Sequence, residues 1–244
     1  MTFRGQLGIE KQERSGRTMG LNILYEDESL LVVKKDAGIP VQAGKLRMMD
    51  LQGLIKKELY RRDKTAGEPY LGLIHRLDQP VEGVMVFAKT PQAAADLSRQ
   101  VTDGRMKKHY LALLCGKPSE KSGTLVDYLA KDGRTNTSSV VSKETKDAKR
   151  AELNYQVLKE GETTALVQIG LITGRHHQIR VQMANAGWPL YGDTKYNPRF
   201  QQTEEYVQTA LCAYRLSFIH PKTKKQMEFQ ITPENSLLNQ EMLP

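Results

Sequence analysis

Three residues far apart in the chain have side chains suited to work on one another. They are Asp78 in the run His75-Arg76-Leu77-Asp78, Tyr110 at the end of a basic cluster, and Arg180 closing Thr173-Gly174-Arg175-His176-His177-Gln178-Ile179-Arg180. Asp78 sits on a short charged loop between two β-prone runs, a rigid frame for one reactive carboxylate, base or nucleophile. Pro80, two residues on, removes a backbone donor and argues against a regular helix through the aspartate. An aspartate ahead of a Pro-containing turn also has a purely structural reading, its carboxylate bonding nearby backbone amides. From this stretch alone that reading leads.

The second stretch runs from a strand into a helix ending at Gly187, with Ile179, Met183 and Ala186 along one side. Arg180 falls between Met183 and Ala184 on a helical wheel and so faces inward. A guanidinium held near a core needs a carboxylate, because an unpaired buried charge is costly. Asp78 is the candidate partner; an arginine snorkelling out along its own stem is the equally weighted alternative. The neighbouring His176 and His177 suggest a metal at first sight. Adjacent residues on a helix diverge by ~100° and share an ion poorly, so no metal site is assigned. Tyr110 marks the start of the strand 110–115, where a tyrosine is more often packing than a working group.

Around these residues the chain reads as an α/β (α+β) domain. The runs 23–25 and 30–33 flank a polar turn and predict a hairpin. Leu51, Leu54, Ile55 and Leu59 predict a helix over 50–62 whose outer face carries Lys56, Lys57, Arg61 and Arg62, solvated by default. Gly83 lets the chain turn into a strand over 84–88. Thr90 as N-cap, Pro91 at the first helical position and Asp103-Gly104 at the end delimit a helix with Ala94, Leu97 and Val101 inward. Residues 116–150 read as an exposed, mobile hairpin or pair of loops able to grip a large ligand. Strands follow at 152–158, 164–170, 213–218 and 226–231, the last two joined through His220-Pro221-Lys222. Residues 1–20 are polar and without period and read as a loose arm; 21–244 read as one domain.

The chain has 244 residues and a formal net charge of +8, a surplus that favours a polyanionic partner, nucleic acid before membrane. With 26% charged and 39% hydrophobic residues it is a globular, not a disordered, sequence. Cys115 and Cys212 show neither metal-ligand spacing nor a disulfide framework and read as free thiols in a reducing cytosol. No apolar run approaches the roughly 20 residues of a membrane span, and the N-terminus lacks a signal-peptide core.

Taken in order, His75-Arg76-Leu77-Asp78 with Gly83 and Phe87-Ala88-Lys89, the basic-Tyr strand, Thr173-Gly174-Arg175 with His177-Gln178-Ile179-Arg180, and Gly192-Asp193 with Tyr196 resemble the RluA family of pseudouridine synthases. The likeness runs from about residue 21 to 233. It implies isomerisation of uridine to pseudouridine in ribosomal or transfer RNA, by a monomer in the cytoplasm, with no cofactor, metal or membrane. The expected architecture is a long mixed, mostly antiparallel sheet with flanking helices and a cleft across its middle, without an S4 domain. On the matching positions Asp78 is the essential aspartate, Tyr110 contacts the target base and Arg180 pairs with Asp78. Arg76 fills the space of the displaced base, and His75, Arg175 and His177 join the RNA contacts. Phosphates fall to Arg105, Lys107, Lys108 and the stretch 143–150. Val81-Glu82 stands where the family usually has Thr-Ser, placing a second carboxylate four residues from Asp78. Two rivals stay open: a glycosidase, which needs two carboxylates roughly 5 to 9.5 Å apart, and a non-catalytic RNA-binding protein on the same scaffold.

Overall fold

The computed structural model describes residues 21–42, 50–64, 67–203, 205 and 207–242; the expected arm at 1–20 lies outside them. Eleven strands form one sheet: β1 (Asn22–Glu26), β2 (Leu30–Lys35), β3 (Gly72–Leu73), β4 (Glu82–Ala88), β5 (Lys107–Cys115), β6 (Ser122–Asp132), β7 (Thr137–Val140), β8 (Lys149–Glu160), β9 (Thr164–Leu171), β10 (Leu211–Ile219) and β11 (Gln226–Gln230). Their spatial order is β1-β2-β4-β10-β5-β9-β8-β6-β7, with β3 against β4 and β11 against β10. Every pairing is antiparallel except β4 with β10, which run parallel through Cys212 and Ala213 opposite Glu82 and Gly83. The sheet is the expected mixed, mostly antiparallel one.

Four helices flank it: α1 (Leu51–Arg62), α2 (Pro91–Thr102), α3 (Gln178–Asn185) and α4 (Ser236–Met242). The Asp50 carboxylate accepts the Gly53 amide and the Thr90 hydroxyl the Ala93 amide, so both N-caps work as side-chain acceptors. Most of the basic face of α1 is paired: Glu58 takes both Arg61 and Arg62, Arg62 also reaches Glu26 of β1, and Lys56 meets Glu68. No helix among the described residues is long and apolar enough to cross a membrane.

Side-chain alternation along β5 divides the core. Tyr110, Ala112 and Leu114 pack with Met85, Phe87, Ile169, Ile179 and Met183 on one face, while Leu111 and Leu113 meet Cys212, Tyr214 and Leu238 on the other. A third cluster, built from Val32, Val86, Leu97 and Phe218, lies under α2. Buried on both faces, β2 and β4 carry the continuous apolar runs 30–33 and 84–88 rather than alternating ones.

Three local readings change. Tyr110 is the fourth residue of β5, not its first, because the ladder to β9 and β10 already holds Lys107 and Lys108. The hairpin expected within 116–150 is present as β6 with β7, but it is no loose appendage, since β6 also pairs with β8 over eight residues. Gly83 lies inside β4 rather than ahead of it. A Cβ there would sit 2.4 Å from that of Ala213 and 2.7 Å from the Ala213 carbonyl, and its φ is +153°. The glycine is needed for the close approach of β10.

Gly83→Ala therefore meets both a backbone conformation unfavourable to L-residues and a steric overlap. The expected loss is roughly 3–5 kcal/mol, read as a fall in Tm of about 10 °C in thermal unfolding.

Candidate active site

Asp78 is carried on the loop joining β3 to β4. Leu77 and Val81 on either side are buried, and the Val81 amide donates to the Asp78 carbonyl at 3.1 Å, closing the turn. Beneath it lies Lys35, fully buried, whose Nζ donates to the carbonyls of Asp36, Ile39 and Gln79 at 2.9, 2.7 and 3.1 Å. Burial pulls this ammonium down to about 8, Asp78 being the strongest of the carboxylates that oppose the fall. The Gly38 amide donates to the Gln79 carbonyl and the Gln79 side chain to the Gly38 carbonyl, which binds the loops 36–39 and 78–80 together.

His75 serves this loop as an acceptor. Its Nε2 receives the Val86 amide at 3.2 Å, on a stretch of β4 between its pairings with β3 and β10. Burial, then Lys108, holds the imidazole neutral with a pKa of about 3, as an acceptor nitrogen requires. His75 lines the cleft, and this bond ties its ring to the sheet.

Arg180 enters from α3, 3% exposed. Its Nη1 donates to Asp78 Oδ2 at 3.3 Å. The expected pair is present, yet it is the weaker of two. Nε and Nη2 make a 2.7 Å fork on Asp193 Oδ2 and Oδ1, and Asp193 is fully buried. Asp193 Oδ1 also accepts the amides of Lys195 and Tyr196 at 2.9 and 3.2 Å. Gly192 allows that turn, since its φ is +73° and a Cβ would lie 2.4 Å from the Gln208 carbonyl. The ring of Tyr196 lies 5.1 Å from the guanidinium carbon.

His176 and His177 precede α3 rather than riding on it. His177 has φ 54° and ψ 24°, and the two rings stack with centroids 3.7 Å apart. The reason given against a shared ion, divergence on a helix, therefore does not apply; among the described residues no group of three or more potential metal ligands is found. The Ser138 amide donates to the Tyr196 hydroxyl at 2.8 Å, leaving that hydroxyl's proton for His177 Nδ1 at 2.7 Å. His177 Nε2 then carries the hydrogen and faces Asp78 Oδ2 at 3.7 Å, beyond hydrogen-bond reach. Burial, then Arg180, keeps this histidine neutral, with a pKa of about 2. Gln178 braces the preceding turn: its Oε1 accepts the Thr173 hydroxyl and the Arg175 amide at 2.8 and 2.9 Å, and its Nε2 donates to the Glu152 carbonyl.

Asp78, His75, His176, His177, Gln178 and Arg180 face one cleft of about 870 Å³ that also includes Arg76, Lys108, Tyr110 and Arg175. Among the described residues Asp78 is the only carboxylate lining it. Burial lifts the Asp78 carboxyl above its ordinary value; Arg180 opposes the shift without cancelling it, so the pair does not favour the charged form as strongly as expected. Tyr110, 6% exposed, has its hydroxyl pushed well up by burial and by the Asp78 charge. Lys108 shares the cleft face of β5 with Tyr110, whereas Lys107 alternates to the opposite side and Arg105 is tied to Asp103 at 2.7 Å. Neither of the last two lines the cleft. Glu82 points away too, 1% exposed, its carboxylate accepting the amides of Glu234 and Asn235 at 3.1 and 3.0 Å. Lys35 and the role of Asp193 were missed from sequence; Gly192-Asp193 stood in a recognised motif, but nothing in its spacing tied it to Arg180.

Residues 29–185 match the RNA pseudouridylate synthase family. The chain is 35% identical over 216 residues to "Uncharacterized RNA pseudouridine synthase YlyB" of Bacillus subtilis, covering 87% of this chain and 69% of that protein. It is 32% identical over 241 residues to "Ribosomal large subunit pseudouridine synthase D" of Buchnera aphidicola, covering 94% and 74%. Among solved structures, "Human RNA Pseudouridylate Synthase Domain Containing 4" shares the fold with a TM-score of 0.73 at 23% identity, over 89% of this chain and 91% of that one. Because the family match spans the loop, the strand and the helix that carry Asp78, Tyr110 and Arg180, the chain belongs to the RluA family of RNA pseudouridine synthases, which are isomerases.

Proposed function

We propose that this chain converts uridine to pseudouridine in a stem-loop of ribosomal RNA, with Asp78 as the one reacting carboxylate. The observation that carries the reading is the cleft's single carboxylate in a basic wall of Arg76, Lys108, Arg175 and Arg180. A glycosidase needs two such groups, and Glu82, the nearby alternative, is committed to the backbone at 234–235.

The reaction breaks the N1–C1′ bond, turns the uracil and joins C5 to C1′. The proton lost from C5 is balanced by one gained at N1. Nothing is oxidised and no group is imported, so the reading calls for no cofactor or metal. Ionised Asp78 acts either as base at C2′ or as nucleophile at C1′, and Arg180, steadied by Asp193, fixes its orientation. Tyr110 offers a flat face to the uracil and a protonated hydroxyl near C5. A paired base must be swung out at a cost of a few kcal/mol, and the exposed Arg76 is placed to occupy the space it leaves. Lys108 and Arg175 hold phosphate, with an affinity that falls steeply with salt. The enzyme works as a monomer in the cytoplasm.

Mapping pseudouridines in RNA from cells lacking the protein is expected to reveal a missing site that wild type restores and Asp78→Asn does not. Restoration by the variant would overturn the reading. The folded-state pKa of Asp78 is raised, so its ionisation weakens the fold as pH rises from the ordinary carboxylate value through the raised one. Asp78→Asn accordingly melts no lower than wild type at neutral pH, and the difference disappears in acid.

Asp193→Asn removes the buried charge that holds Arg180. Thermal unfolding should show a loss of about 3–5 kcal/mol, and single-turnover kcat a fall of about a hundredfold from misplacement of the guanidinium, with RNA affinity far less affected. The acid limb of the wild-type rate profile lies above 3.8, the ordinary aspartate value, and His177 contributes no inflection near 6.5.

A further inference from the structure

Beside the catalytic cleft lies a second hollow of about 320 Å³. Leu129 and Ala130 of β6 and Ser138 of β7 contribute to its lining, together with Asp147 and Lys149 where the chain enters β8. Lys131, Gly174, Arg175 and His176 belong to both spaces, so the hollow continues the cleft rather than opening elsewhere.

His176 forms part of the shared wall and its plane is fixed. The ring stacks on His177, and Nδ1 meets the Ser138 hydroxyl at 2.8 Å. Burial, then the charges of Lys131 and Lys195, hold it neutral with a pKa of about 4, so it presents an uncharged aromatic plate. Around it the charges are open. Among the described residues Lys131 and Lys149 make no ion pair, and Arg175 spends its Nε on the Arg150 carbonyl at 2.8 Å, with no carboxylate on its guanidinium. Arg61, Arg62, Arg105 and Arg150, by contrast, each meet a carboxylate. Asp147, at φ 62° on the same rim, has no cationic partner among the described residues either.

A rigid aromatic face, cations without counter-ions and one free carboxylate acceptor suit a nucleotide: a base to stack, a phosphate to neutralise and an amino edge to bind. The volume suits one nucleoside and not a helix. We propose that this hollow receives a second unstacked nucleotide, a near neighbour of the target uridine in the same RNA. The inference rests on the reading of the cleft given above. The base lies against His176 with an amino group toward Asp147, and its phosphate lies among Lys131, Lys149 and Arg175. Because Ser138 bonds both His176 and Tyr196, occupancy bears on the ring pair beside Asp78, which makes the neighbour a determinant of which uridine is chosen.

The test is a library of RNA hairpins with fully randomised loops, modified by the protein and sequenced for pseudouridine. Wild type is expected to favour an amino-bearing base at one position flanking the modified uridine by about tenfold. Asp147→Asn, which tolerates the left-handed backbone, and the paired Lys131→Ala and Lys149→Ala substitutions should each flatten that position among the uridines they convert, at whatever overall rate. Modification indifferent to every flanking base, or a preference that survives these exposed substitutions, overturns the pocket and leaves the reaction standing. Absence of any pseudouridine overturns the reaction instead. The same library selected for binding then decides the pocket: a flanking preference that the substitutions erase supports it, and indifference sinks it.

Discussion

A single guanidinium between two carboxylates organises this molecule. Arg180 is almost wholly removed from water, and its charge is tolerable only because Asp193 takes two of its donors in a fork. That fork leaves one nitrogen, Nη1, directed at Asp78 over 3.3 Å. The longer contact is informative. A carboxylate gripped as tightly as Asp193 would be a structural ion, whereas Asp78 keeps a quarter of its side chain exposed and a carboxyl lifted above the ordinary range. The molecule thus builds one strong ion pair that holds a weaker one in place.

The surrounding loops repeat that division of labour. Lys35 satisfies three backbone carbonyls under the Asp78 turn, His75 supplies an acceptor along β4, and Gln178 ties the turn before α3 to Glu152. His75 and Gln178 line the cleft while doing so, and Lys35 lies outside its lining. Each replaces a backbone partner where strand or helix pairing breaks off, and a buried donor or acceptor left alone there would cost about 1–3 kcal/mol. Irregular backbone around the cleft is therefore as fixed as the sheet itself.

How much of this could be read from residues alone depended on the range of the interaction. The helix at 91–102 was legible because its signals are local: Thr90 caps it, Pro91 opens it and Asp103-Gly104 closes it. The inward bearing of Arg180 followed from helical spacing, but its principal partner did not, since Asp193 meets it through the approach of 192–193 to 208. The strand was started three residues too late, at Tyr110, because Lys107 and Lys108 look like loop, and only pairing to β9 and β10 draws them into the strand. The polar run 116–150 misled for the reason that outer strands of a sheet are wet and lack the apolar signal of central ones. The backbone of His177 was not foreseen: a left-handed histidine ahead of a helix is written in no local pattern.

The strand order carries one more consequence, in time rather than space. β10 lies between β4 and β5 and joins them, yet it is among the last elements to leave the ribosome. Until Leu211–Ile219 has been synthesised, the half bearing Asp78 and the half bearing Tyr110, Arg180 and Asp193 have no strand between them. Such late, long-range closure slows folding and keeps open edges exposed meanwhile. It also means that a nascent or prematurely terminated chain lacks the strand that joins the two sides of its own cleft.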